Sequence, residues 1–341
     1  MGTNELKSHL QGFFTDGLVT VIGLGHSAAH GLPTMQALAT GLGERVPTMI
    51  DDGQAEEWEK VRAALDEGQH LEDALVSIDH ESPLIEVIVE ASAEMIGAAE
   101  TVAIKKLIHD GARFPLAELI PHLAPSDRAT VVATNYDRLV EVAVESAGYF
   151  LDCGFVGMHR GRADAALSRT SLRSSTVPRK KGFSFRYQPY VRLAKPHGSL
   201  DWYLCDGVPI RSPFALDLPR LMITPGASKF RKGYERPFDH HREIANHAID
   251  AATRFLAIGF GFNDPHLQTH LAERIEAGAP CLILTKELTG SGKELLARGS
   301  GVIALESLPP AGTRLHHGGG IEDMANQELW KLETFIDEVL N

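Results

Sequence analysis

Four short strings place polar side chains and glycines at the ends of apolar runs: Gly23-Leu24-Gly25-His26-Ser27, Ala133-Thr134-Asn135-Tyr136-Asp137, Lys195-Pro196-His197-Gly198-Ser199 and Gly259-Phe260-Gly261-Phe262-Asn263-Asp264. Asn135 offers an amide that positions a hydroxyl or water, Asp137 a carboxylate that favours developing positive charge, and His197 an imidazole suited to act as a base near neutrality. The first string belongs to "VTVIGLGHSAAHGLP", in which a glycine turn separates the apolar run Val19, Thr20, Val21, Ile22 from the helical pattern Met35, Leu38, Leu42. Pro33 is expected in the first turn of that helix. Such an order leaves backbone N–H groups at the positive end of a helix dipole, where a pyrophosphate is stabilised. Each string also has a plainer reading. Asn135 and Asp137 suit the cap of the helical pattern "DRLVEVAVESAG", His197 a turn, and Asn263 with Asp264 an Asx turn. The glycine spacing itself departs from the common dinucleotide fingerprint, because Ala28 stands where a third glycine belongs.

The elements that must position these groups read as an alternation. Strand-like runs recur at "VTVIG", "ATVVATN", "YVRLAKPHG", "RLMITPG", "RFLAIGFGF", "CLILTK" and "GVIALE", with helical patterns between many of them. This predicts an α/β fold with a doubly wound, mostly parallel Rossmann-like sheet, in which ligands bind outside the carboxyl ends of the strands. We read residues 1–341 as one domain with two insertions. The first, about 55–123, is all-helical, with Trp58, Val61, Leu65, Leu84, Ile88 and Ile96 at helical spacings; it serves as a lid, an oligomer surface or extra core. The second, about 160–190 and extending to Lys195, carries ten Lys or Arg against the single acid Asp164, with Phe183, Phe185 and Tyr187 alternating near its end. Basic residues interleaved with aromatics suit nucleic acid or an acidic partner, and "FSFRYQPYVRL" equally suits a plain strand with a solvated face. The stripe Leu329, Leu332, Ile336 and Leu340 near the end suits packing onto the parent domain or subunit contact.

The formal charge of −12 argues against a generally basic nucleic-acid binder. No apolar run approaches a membrane span and no signal-peptide pattern opens the chain, so a cytoplasmic location is expected. Three scattered cysteines, Cys153, Cys205 and Cys281, exclude a four-cysteine zinc site. The strings with His240, His241 and His247, and with His316 and His317, lack helical zinc spacing and read as solvated surface; no metal is expected. Asp51 and Asp52, about 20 residues past the glycine turn, where a Rossmann protein reads a ribose, read as loop residues.

Taken together and in order, the four strings resemble the sirtuin family, specifically its bacterial sirtuin-like branch in antiphage defence systems. In sirtuins a Gly-Ala-Gly-x-Ser loop ending in Gly-[Ile/Leu]-Pro holds NAD, and "GLGHSAAHGLP" matches through Gly23, Gly25, Ser27, Gly31 and Pro33, with His26 where a small residue is common. "TNYD" looks like the family's Asn-x-Asp element, which implies that Asn135 and Asp137 face the nicotinamide ribose, with Thr134 among the NAD-binding residues. "KPHG" looks like its catalytic His-Gly, which makes His197 the catalytic histidine. "MITPGASKF" and "FLAIGFGFNDPHL" look like later strands of the defence branch, so that Gly259, Phe260, Gly261, Asn263 and Asp264 are expected on the adenosine side of NAD. His26 is expected either at the pyrophosphate or holding the empty pocket shut.

The resemblance implies an NAD hydrolase that uses NAD as substrate and gives ADP-ribose and nicotinamide, acting in defence by NAD depletion. It also implies a homo-oligomer and, in the closest subgroup, a HerA-type hexameric ATPase as partner. The family's deacylating members carry a zinc ribbon, which this chain cannot build. ADP-ribosyl transfer, deacylation and a non-enzymatic nucleotide-sensing scaffold are the alternatives. The chemistry suits the residue types: the nicotinamide–ribose bond breaks through an oxocarbenium-like state, and the leaving group is already activated by its positive charge.

Overall fold

The structure, a computed structural model, describes residues 3–79, 81–223 and 236–341. After helix α1 (Thr3–Gln11), strand β1 (Leu18–Ile22) leads into the short helix α2 (Leu24–Ala29) and then α3 (Met35–Arg45). Four helices follow: α4 (Asp52–Asp66), α5 (Leu71–Leu75), α6 (Leu84–Ile108) and α7 (Pro115–Leu123). The chain returns through β2 (Arg128–Ala133), α8 (Leu139–Ser146), β3 (Phe150–Asp152), β4 (Phe155–Val156), β5 (Gly161–Ala163) and α9 (Ala165–Ser171). Next come β6 (Arg173–Pro178), β7 (Phe183–Tyr187), β8 (Tyr190–Ala194), β9 (Gly198–Cys205), β10 (Val208–Arg211) and β11 (Arg220–Met222). The remainder is α10 (Phe238–Ala251), β12 (Arg254–Ile258), α11 (Pro265–Glu276), β13 (Cys281–Thr285), α12 (Gly290–Arg298), β14 (Val302–Leu308), β15 (Gly312–His317), β16 (Gly320–Ala325) and α13 (Leu332–Phe335), which runs on into a π-helical turn.

Nine strands form the central sheet in the order β16-β15-β14-β13-β12-β1-β2-β8-β3. Neighbours from β14 to β3 are parallel, while β15 and β16 are antiparallel. Strand β1 is buried along its whole length, as a parallel strand covered on both faces must be. Its side chains divide between two cores: Leu18 and Ile22 pack with α7, α8 and the C-terminal helix, Val19 and Val21 with α10, α11 and α12. The fold is therefore the expected doubly wound α/β sheet. From β1 the chain builds outward through β2 and β8 on one side and, later, through β12, β13 and β14 on the other. The order reverses between β1 and β12, and that reversal opens a crevice at the carboxyl ends of the strands.

Several expectations need correction. Pro33 precedes the helix rather than opening it: Thr34 is the cap of α3, and its Oγ1 accepts the Ala37 N–H at 3.2 Å. "RLMITPG" does not join the parallel sheet. Its first residues form β11 in a separate antiparallel sheet, β11-β9-β10-β5-β4, and the residues from Thr224 on, with all of "PGASKF", lie outside the described residues. "FSFRYQPYVRL" is two strands, broken at Gln188-Pro189. Asp51 is the cap of α4 in a capping box with Gln54, which starts the helical insertion at Asp52. That insertion is all-helical, and Trp58, Val61, Leu84 and Ile88 fill a third core.

Candidate active site

A cavity of about 680 Å³ opens at the sheet's reversal, within the size range of pockets that bury a small-molecule ligand. Its floor comes from the loops after β1, β2, β8 and β12, which bring Gly23, Thr134, Asn135, Asp137, His197, Gly259, Phe260, Gly261, Asn263 and Asp264 together, with Pro33 at one wall. The helical insertion supplies the opposite wall through His70, Leu71, Glu72 and Asp73 at α5 and Ile96 of α6. No motif marks these wall residues, and the helical spacing that picks out Ile96 does not say that it faces a cavity. Only the three-dimensional path of the insertion brings them here, and likewise Leu24, Met35 and Leu38.

A hydrogen-bonded chain fixes the Asn-Tyr-Asp turn. Asn135 Nδ2 donates to the Gly23 carbonyl at 3.0 Å and to Ser27 Oγ at 2.7 Å, and Ser27 Oγ donates to Asp137 Oδ2 at 2.6 Å. Asp137 Oδ1 accepts the Leu139 N–H at 3.1 Å, at the start of α8. Both hydrogens of the Asn135 amide are thus used inside the protein, and its Oδ1 is left to accept from a ligand hydroxyl or water. Asp137 lines the cavity and also holds the first turn of a helix, as its capping reading expected.

The turn is clamped from below by Lys195, which is only 1 % exposed. Its ammonium donates to the Tyr136 and Asp137 carbonyls, to Ser199 Oγ at 2.9 Å and to Glu141 at 3.1 Å. Burial pushes the Glu141 carboxyl up, and the nearby ammonium opposes that shift. A second clamp comes from the insertion: the buried Glu100 of α6 accepts from the Arg138 guanidinium at 3.0 Å.

His197 lies between two acceptors. Its Nδ1 is 3.3 Å from the Thr134 carbonyl, and its Nε2 is 2.7 Å from Asp264 Oδ2. A neutral ring has one N–H, so it serves one acceptor and leaves the other nitrogen bare. Asp264 Oδ1 meanwhile accepts the Leu267 N–H at 3.1 Å, in the first turn of α11. The sequence reading set Asp264 on the far side of the ligand, whereas the fold brings it against the histidine.

The glycines act differently from the expected cradle. Gly25 N–H donates to the Gly259 carbonyl at 2.9 Å and is not free for a phosphate. A Cβ on Gly23 would lie 2.6 Å from the Gly259 carbonyl oxygen, and one on Gly259, at φ +56°, 2.4 Å from the His26 nitrogen. These glycines let the loops after β1 and β12 touch. Gly25, His26, Ser27 and Gly31 do not line the cavity. His26 turns away towards His30, ring centroids 5.1 Å apart, and burial lowers its pKa to about 3, with His30 adding to the effect. It neither contacts the cavity nor shuts it.

No Lys or Arg lines the cavity among the described residues, and none of their His, Cys, Asp and Glu side chains group as a metal site. The His-rich strings are not uniformly solvated surface: His241 is buried against Trp202, and its Nδ1 accepts the Lys195 backbone N–H at 3.1 Å. His316 and His317 pair with Glu306 and Glu322. No helix among the described residues is long and apolar enough to cross a membrane.

Residues 129–287, a little under half of the chain, match the family model of the SIR2-like domain. Among curated proteins none matches. Solved structures similar to this chain include one from work on the structural basis of sirtuin substrate affinity, 14 % identical over 85 % of this chain and 90 % of that one, with a TM-score of 0.42. Others are Sir2 bound to an acetylated peptide, 11 % identical over 85 % and 89 % at a TM-score of 0.40, and a mutant Sir2 homologue in complex with 2'-O-acetyl ADP-ribose, 14 % identical over 86 % and 88 % at 0.43. At these values they are loose likenesses, and nothing about this chain's chemistry follows from them.

Proposed function

We propose that this protein is an NAD hydrolase that cleaves the nicotinamide–ribose bond to give ADP-ribose and nicotinamide. The observation that carries the reading is the convergence of Asn135 and Asp137, from the end of β2, and His197, from the end of β8, on one cavity at the sheet's reversal, within a segment that matches the SIR2-like domain. NAD is the substrate. The acidic wall of Glu72 and Asp73, with Asp137 and Asp264 opposite, suits the cationic nicotinamide end.

Bond cleavage returns the C1′–N electron pair to the nicotinamide nitrogen and leaves an oxocarbenium-like ribose, which Asp137 and the neighbouring carboxylates favour electrostatically. Asn135 Oδ1 accepts from a ribose hydroxyl or from the attacking water and so orients it. The water oxygen bonds to C1′ and its proton passes to His197. The Thr134 carbonyl can only accept, so Nδ1–H is held there and Nε2 is left as the base, with Asp264 Oδ2 2.7 Å from it to favour the cation that forms. Asp264 is in this account a positioning residue for His197 rather than an adenosine contact, and Ser27 is the link that fixes Asn135. Lys195 is a further positioning residue, which holds the turn from beneath.

The setting we propose is that of an antiphage effector acting by NAD depletion, as a cytoplasmic homo-oligomer partnered with a HerA-type ATPase. The likeness of its four strings to the defence branch supports this. Adenine-labelled NAD incubated with the purified protein, alone and with the ATPase, tests the chemistry. Label in free ADP-ribose is the expected result; label on protein indicates ADP-ribosyl transfer, and no consumption in either case overturns the reading.

A further inference from the structure

Strands β6 and β7 form a hairpin that, among the described residues, pairs with no other strand, and none of its residues belongs to the hydrophobic cores of the body. A lone two-stranded hairpin is marginally stable in water, so one exposed on both sides marks a surface made for something else to cover. Its composition says what. Residues 165–200 contain no Asp or Glu, and the hairpin itself carries Arg173, Arg179, Lys180, Lys181 and Arg186. Alternation puts Phe183, Phe185 and Tyr187 on one face of β7, with Phe183 70 % and Phe185 40 % exposed. Arg173, from the facing strand, stacks on Phe185, its guanidinium carbon 3.6 Å from the ring centroid. The tip, where Arg179 N–H bonds the Gly182 carbonyl, is a run of three cations.

We propose that this hairpin is a docking arm for single-stranded nucleic acid, held by its phosphates at the tip and by base stacking along the aromatic face. An acidic protein surface would pair with the cations equally well, but it has no use for flat, exposed rings in register with them. Unstacked bases do, because every base offers a π-face. The two insertions divide their tasks in this account: the helical one walls the cavity and the basic one reaches outward. The proposal is independent of what the cavity hydrolyses.

Fluorescence anisotropy of the full chain with a fluorescein-labelled 20-nucleotide oligo-dT across a salt series tests it. Binding is expected to weaken with salt. Arg179→Ala/Lys180→Ala/Lys181→Ala should lower the log–log salt slope by about 2, from about 0.7 per phosphate contact. Phe183→Ala/Phe185→Ala should weaken binding roughly 10-fold or more at every salt concentration with the slope unchanged. An unchanged thermal melt of both variants shows that the body is intact. Absence of binding at low salt, an unaffected phenylalanine variant, or displacement by poly-glutamate as effective as by unlabelled oligo-dT would each overturn the proposal, the last in favour of an acidic protein partner.

Discussion

At the scale of single residues the account turns on which atoms remain available once internal bonds are made. Asn135 keeps its carbonyl oxygen and His197, with Nδ1 against the Thr134 carbonyl, keeps Nε2, which lies 2.7 Å from Asp264 Oδ2. Asp264→Asn should therefore lower kcat roughly 100-fold, the smaller end of what a positioned base contributes, with KM little changed. A rise in KM at unchanged kcat would instead make Asp264 a substrate contact, as the sequence reading had it. The contact between Asp264 and His197 could not be read from the sequence, for a physical reason. "GFGFNDPH" shows a turn and a helix start, and both exist, but the side chain's second oxygen points across the crevice to a residue 67 positions earlier, a juxtaposition with no local signal. His26 misled for the opposite reason: its place in the glycine string suggested a ligand contact, while the turn of α2 carries its ring to the far side, towards His30.

At the scale of elements, the strands were legible because parallel strands buried on both faces are continuous apolar runs, and β1, β2, β8, β12, β13 and β14 all appear in the sequence as such. The small antiparallel sheet was less so: β11 falls within the run "RLMITPG", but β4, β5 and β10 are only 2, 3 and 4 residues long, and β5 meets β10 through a distant pairing. Its longest strand, β9, begins directly after His197, so that sheet anchors the His197 loop. The junction is held by buried charge. Lys195→Met should strand the Glu141 carboxylate without its counter-ion and cost about 3–5 kcal/mol in a denaturant melt. Lys195→Met/Glu141→Leu should recover much of that loss; equal melts for the single and double variants would show that the pair does not hold the turn.

For the whole molecule, a net charge of −12, with ten of the 33 Lys and Arg in residues 160–195 against a single acid there, separates an acidic body from a basic arm. The same molecule should be acid-sensitive, for a reason the geometry supplies. His26 and His241 are buried, and burial, aided by neighbouring histidines, lowers each to about 3. They fold neutral, so the stability they permit is present above about pH 6.5 and is lost as pH falls towards 3, because the unfolded chain binds the protons first. Each contributes a slope of at most about 1.4 kcal/mol per pH unit across that window. His26→Phe should flatten the acid limb of the stability profile by one such slope; an unchanged limb between pH 6 and 4 would show that the ring is hydrated in the native state.

The central claim is that one cavity, built at the reversal of the sheet, breaks the nicotinamide–ribose bond with Asn135 and His197. The most direct test is nicotinamide release from NAD by the purified full chain, together with the ATPase, set beside Asn135→Ala and His197→Ala variants of matched thermal stability. The account expects steady release from the native protein and a fall of roughly 10²–10⁴-fold in each variant. Equal release by all three proteins, or none from the native one, would contradict it.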